Sequence, residues 1–264
     1  MKRANHMGAM LSMALTLGSC GSTGGALVVL PFQAGGVARA APGPMTFNTP
    51  TGWNVELTQA VIALGPFYFN VSPPDSQNFR SGTVIIEATE QVVLDALDPT
   101  LHDVPGGADG ETGPAVAVEI DLFPADSTQS AANQQLLPGT QLKGGTVGVI
   151  AGIATKGAAT VPFQGAITID SNLVTATASL PSLQRVNGAV VQLDFTAAPQ
   201  TLSLRVDPTA WFQQADFSTF LSGASGTSQV NGVYTWNETS TFLNQLSQGV
   251  KLQASVYQFA LAPQ

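Results

Sequence analysis

The chain has 264 residues, only 10% of them charged, with 9 Lys and Arg against 17 Asp and Glu for a formal net charge of −8. The few basic residues are scattered, which excludes the clustered cations that neutralise nucleic-acid phosphates, and the same acidity repels anionic lipid headgroups. A single cysteine and 2 histidines leave no disulfide pair and no conventional His/Cys zinc set, so a packed core must supply the stability.

At the N-terminus Lys2 and Arg3 precede the apolar run Met7 to Leu17, which Gly18 and Ser19 join to Cys20. A basic segment, a short apolar segment and small residues before a lone cysteine predict a bacterial lipoprotein signal over residues 1–19, with Cys20 as the lipidation site. The apolar run is well short of the ~20 residues a spanning helix needs, so attachment would come from acyl chains on Cys20. Gly21, and not aspartate, follows the cysteine, which favours the outer membrane. Two other readings compete. In one, an ordinary signal is cut after Ala38-Arg39-Ala40 and Cys20 is discarded; in the other, Cys20 is a small buried hydrophobe of a cytosolic helix. Residues 20–44, rich in Gly, Ala, Ser and Pro, are predicted to be a flexible tether with an apolar patch at Leu27 to Phe32.

From residue 45 to 264 short alternating segments predict one all-β domain. Val55 and Leu57 alternate with Asn54 and Glu56, and the run continues through Leu64 to Gly65-Pro66, which should bend or end it. Thr83 to Val93 reads as a strand or a strand pair, although Glu87 to Leu97 would tolerate a helix. In Ala115 to Phe123, Val116, Val118, Ile120 and Leu122 share one face, with Glu119 and Asp121 on the other. Strands are further predicted at Thr146 to Thr155, Pro162 to Asp170, Leu173 to Leu180, Ala189 to Ala197, Thr201 to Val206 and Gly249 to Ala260, with a hairpin turn at Lys156-Gly157. Asp207-Pro208 predicts a capped short helix over Pro208 to Gln214, and Asn237 to Ser247 a second one with Phe242 and Leu246 on one face. The sum is an antiparallel β-sandwich, or a barrel-like variant of it, with one or two short helices.

Candidate chemistry is sparse. Asp95, Asp98, His102, Asp103, Asp109 and Glu111 lie in one Gly-rich acidic stretch, read as a loop that offers hard-cation oxygens for Ca²⁺ or, through His102, a ligand for copper. A plain solvated loop is the competing reading. Trp53, Trp211 and Trp236 are a candidate ligand groove, against the commoner role of aromatic core filler. A hydrolase would use His102 as its base, or Glu119 and Asp121 as a carboxylate pair that the outer polar face of a strand explains equally well. No G-x-S-x-G elbow and no phosphate loop occur.

The blocks Gly52-Trp53-Asn54-Val55-Glu56-Leu57 to Leu64-Gly65-Pro66, Ala154-Thr155-Lys156-Gly157 to Val161-Pro162-Phe163, and Val206-Asp207-Pro208 to Trp211-Phe212 resemble blocks in a family of myxobacterial-type envelope lipoproteins. That resemblance implies a β-sandwich at the cell envelope. Several members carry a histidine-rich loop before the block that corresponds to Ala115-Val116-Ala117-Val118, where this chain has only Leu101-His102-Asp103-Val104-Pro105-Gly106, a departure that weighs against histidine-based metal binding. The strand into Val206-Asp207 with its short aromatic helix is also similar to periplasmic copper-associated β-sandwich proteins of the methanobactin-linked type, which implies a fold more than a function. The leading expectation is a lipid-anchored, non-enzymatic binding or structural module. A calcium- or copper-binding lipoprotein comes second, and an envelope hydrolase third.

Overall fold

The computed structural model describes residues 24–73, 82–122, 134–136, 142, 146–168, 185–251 and 256–264. Cys20 and the predicted strand Leu173 to Leu180 lie outside them. In chain order the strands are β1 (Leu27–Gly36), β2 (Met45–Asn48), β3 (Asn54–Leu64), β4 (Phe67–Asn70), β5 (Val84–Ala88), β6 (Gln91–Asp95), β7 (His102–Glu111) and β8 (Gly113–Asp121). They continue as β9 (Gln134–Leu136), β10 (Gly148–Lys156), β11 (Ala159–Ile167), β12 (Arg185–Phe195) and β13 (Gln200–Val206). A 3-10 turn (Pro208–Phe212) and helix α1 (Ser218–Leu221) follow, then β14 (Thr227–Val230), β15 (Val233–Trp236), helix α2 (Thr241–Val250) and β16 (Tyr257–Pro263).

Two sheets share the work. One runs β12-β8-β4-β5-β7-β1-β13-β16 and the other β14-β15-β11-β10-β3-β6-β9, with β2 also on β3. Pairing is mostly antiparallel, as predicted, with parallel seams at β1/β13, β6/β9 and β11/β15. The first sheet nearly closes on itself. Rings from strands far apart in its order meet inside it: Phe69 of β4 lies 5.6 Å from Phe195 of β12 and 5.2 Å from Phe259 of β16, and Phe67 lies 5.3 Å from Phe32 of β1. Among the described residues no helix is long and apolar enough to cross a membrane.

Alternation places the core. Val55 and Leu57 of β3 are buried while Asn54 and Glu56 are exposed, and in β12 Val191, Leu193 and Phe195 point in while Gln192 and Asp194 point out. Past Ala60 both faces of β3 are covered, because Val61 and Ala63 join Val93, Leu142 and Val149 in a second small cluster. At Gly65-Pro66 the chain leaves one sheet for the other, as the turn chemistry predicts, and the peptide there is cis. β5 and β6 likewise belong to different sheets, so the strand-pair reading of Thr83 to Val93 holds and the helix alternative does not.

Three boundaries differ from expectation. The tether predicted over residues 20–44 contains β1, a strand hydrogen-bonded to β7 on one side and β13 on the other, because Leu30, Phe32 and Ala34 alternate into the core. The second helix begins at Thr241, capped by the Ser240 hydroxyl, which accepts from Phe242 N at 3.2 Å. Asn237 caps a turn before it. Gly249 and Val250 end this helix instead of opening the last strand, which starts at Tyr257. Asp207 caps the 3-10 turn as predicted, accepting from Thr209 N at 2.9 Å.

Candidate functional site

The acidic stretch does not fold as one loop. Asp95 closes β6, residues 96–101 make a turn, and His102 to Glu111 are β7 itself. From His102, opposite Ala34 of β1, to Glu111, opposite Leu27, β7 runs alongside seven links of β1, about 23 Å at ~3.3 Å per residue, so His102 and Asp103 stand at one end, and Asp109 and Glu111 at the other. That spread corrects the idea of five carboxylates and His102 gathered around one ion. Among the described residues no three His, Cys, Asp or Glu side chains form a group that could hold a metal ion.

What remains together is the turn at residues 95–102. Asp95 Oδ1 accepts from Leu97 N at 2.8 Å, Asp98 Oδ1 accepts from Thr100 N at 2.9 Å, and Asp98 Oδ2 meets His102 Nε2 at 2.9 Å. Asp103 turns the other way and accepts from Gln33 Nε2 at 2.8 Å. Two arginines hold the turn through backbone oxygens: Arg39 donates to Gly43 O and Leu97 O, and Arg205 Nη1 donates to Gly36 O at 3.0 Å and Pro99 O at 2.8 Å. The turn presses on β1 so closely that a Cβ on Gly35 or Gly36 would stand 2.2 Å from Thr100 O or Ala96 O.

Electrostatics separate the two turn carboxyls. Burial pushes Asp95 above its ordinary range, and the nearby Asp98 charge adds to this, against the Leu97 hydrogen bond and Arg39. Burial acts on Asp98 in the same direction, but hydrogen bonds from His102 and Thr100 outweigh it and hold that carboxyl low. This arrangement fixes a turn. His102 Nε2 is engaged by Asp98.

The three tryptophans do not share a groove. Trp53 is buried and donates from Nε1 to Asp216 Oδ1 at 3.1 Å, with Lys156 Nζ 5.8 Å from its ring centroid. Asp216 is held low because hydrogen bonds from Ser218 and Trp53 exceed the effect of burial. Trp211 is fully buried beneath α2, where a Cβ on Gly249 would stand 2.1 Å from its carbonyl oxygen. Core packing of an aromatic cluster around Phe212, Phe217 and Phe242 accounts for both.

Trp236, by contrast, lines a cleft of about 390 Å³ with Ala166, Thr168, Asn237, Glu238, Thr239 and Leu243. Its Nε1 donates to Ala166 O at 2.8 Å, and its ring fills the space over Gly165, where a Cβ would come within 2.6 Å. Sequence reasoning names Trp236 but not its partners. The signal for them was Gly165, a strand glycine of the kind that marks close approach by a neighbour.

Glu119 and Asp121 are a further correction: both are buried, where an outer polar face was expected. In register Glu119 stands opposite Tyr68 of β4, and Asp121 opposite Arg185 of β12. Val116 is partly exposed although Val118, Ile120 and Leu122 point into the core, because Ala115 and Val118 both face inward, so the alternation inverts between them. The ladder with β12 shifts register over the same stretch.

No family model matches the chain, and no curated protein matches it. A solved structure, MbnP from Methylosinus trichosporium, is similar over 79% of this chain and 82% of that one, at 10% sequence identity and a TM-score of 0.30, a level of likeness that carries no argument about function.

Proposed function

We propose that this chain is a lipid-anchored, non-enzymatic module of the bacterial envelope, held at the outer membrane by acyl chains on Cys20 and acting in binding or structure. The observation that carries the reading is the position of β1. Cleavage before Cys20 would leave all of Leu27–Gly36 in the mature protein, whereas cleavage after Ala40 would remove an interior strand with Leu30, Phe32 and Ala34 buried on it. Burying side chains the size of Leu and Phe contributes roughly 1.5–3 kcal/mol each, against a typical net stability of about 5–15 kcal/mol. Loss of that strand and of its two ladders is incompatible with the fold.

The non-enzymatic part is supported by how the acidic side chains are used. Asp98, Asp207 and Asp216 each accept hydrogen bonds from backbone N–H groups two residues on, the pattern of turn and helix caps. Mass spectrometry of the mature N-terminus tests the anchor. A triacylated Cys20 is the expected result, and an unmodified start at Ala41 sinks it. The calcium- or copper-binding reading keeps one specific support, the Asp98–His102 pair with Asp95 in the same turn. Titration of each ion against thermal unfolding of the mature chain decides it. Stoichiometric occupancy with a raised Tm, lost in His102→Ala, would displace the leading reading.

A further inference from the structure

We infer that the first half of β1 rests on the lipid surface, with Leu27 and Val29 in contact with the headgroup interface of the bilayer that holds Cys20. The inference depends on the anchoring reading above and adds an orientation and a contact to it. Leu27 and Val29 are 85% and 78% exposed, and their spacing of two puts both on one face of the strand. Exposed apolar side chains are ordinary when scattered; these two are adjacent on one face and lie at the entry to the fold.

The chain is pinned immediately before them. Ala26 N donates to Thr112 Oγ1 at 2.9 Å, Thr112 N donates to Ala26 O at 2.8 Å, and a Cβ on Gly25 would stand 2.3 Å from Thr112 O. At ~3.6 Å per residue, the links from Cys20 to Gly25 span at most about 18 Å. A lipid on Cys20 therefore keeps Leu27 within about 25 Å and Val29 within about 32 Å of the headgroups whatever path the chain takes. That reach is what selects a bilayer as the occupant of this face.

The neighbourhood suits shallow contact. The ladder with β13 begins only at Phe32, so among the described residues Leu27 to Leu30 of β1 are paired on the β7 side alone. Opposite Leu27 and Val29 stand Glu111 and the exposed Asp109, and the cost of burying the Asp109 carboxylate stops insertion at interfacial depth. Contact is thus weakened by anionic lipid and favoured by zwitterionic lipid.

The sole cysteine gives the test its precision. In the acylated full chain the Cys20 thiol is consumed in a thioether, so Leu27→Cys, Val29→Cys or the control Val230→Cys supplies the one free thiol for an environment-sensitive fluorophore. Val230 is 59% exposed on the other sheet. In zwitterionic phosphatidylcholine/phosphatidylethanolamine vesicles the labels at 27 and 29 are expected to shift to the blue, brighten by roughly twofold over the label at 230, and be quenched by shallow spin-labelled lipid. Labels at 27 and 29 as hydrated as the label at 230, in protein whose acylated Cys20 is confirmed by mass, overturn the contact and leave the anchor standing. Absence of the acyl mass overturns both. A blue shift that disappears on dilution with excess lipid assigns the face to a second copy of the chain, and also overturns the contact.

Discussion

Asp95 and Asp98 share one turn and respond to it in opposite directions, which makes them a measurable pair. Asp95 is raised by burial, so the fold favours its neutral form; its contribution is fully present below the ordinary carboxylate range and is lost as pH rises through the folded value. Asp95→Asn keeps an oxygen for Leu97 N and removes the charge, so it should stabilise the protein at neutral pH by roughly 0.5–1 kcal/mol and give nothing in acid, as read by denaturant unfolding at both pH values. Asp98 is lowered, so its contribution is present above the ordinary carboxylate range and is lost as pH falls through the folded value. Asp98→Asn should cost about 1 kcal/mol at neutral pH, with the gap to the parent closing in acid. The residue types here were legible in the sequence and their grouping was not. Whether six acidic and histidine positions surround a point or line a rod depends on β7 being a strand, and its Pro105, Gly106 and Gly107 give a turn signal that the strand absorbs as a bulge, where the ladder with β1 shifts register and both glycines take positive φ. Glu119 and Asp121 were misplaced for a related reason: alternation assigns a face, but only packing by neighbouring chain decides whether the polar face is dry.

The first half of β3 and the end of β12, with clean alternation, were readable because one face meets the core and the other meets water, and β13 alternates between buried and half-buried positions. β1 was not, since its first residues follow a Gly/Ser-rich stretch and its Gly35-Gly36 end looks like linker until the turn at residues 96–100 is seen pressed against it. The hairpin β14/β15 was readable and passed over: Asn231 and Gly232 both take positive φ, 51° and 83°, the pattern for which Asn-Gly is the strongest short signal. Two outcomes test the element scale. A chain starting at Gly21 should fold cooperatively, while one starting at Ala41 should show neither a cooperative thermal transition nor protease resistance. Gly249→Ala should destabilise by about 1–3 kcal/mol, because the new methyl meets the backbone of Trp211 and α2 must move off the 3-10 turn; thermal unfolding of the variant measures it.

For the molecule as a whole, the partition into two sheets could not be read along the chain, since consecutive strands β3/β4 and β5/β6 divide between them, while all-β character and the scarcity of charge could. The acidic balance opposes anionic membranes, and without Lys2 and Arg3 a lipid-free chain starting at Gly21 is more acidic still than the full chain at −8, so it is expected to stay in the supernatant with phosphatidylglycerol vesicles at low salt; sedimentation with them would mean the surface itself holds the membrane. The parallel seam of β1 has one more consequence, in time. Phe32 pairs with Leu202, so β1, the first of the described strands to be made, waits for a partner from the far part of the chain. Such non-local pairing makes for slow folding and leaves apolar strand edges open meanwhile. On the anchoring proposed above, the chain would make that wait in place, with β1 held at one spot while the rest of the sheet arrives to close on it.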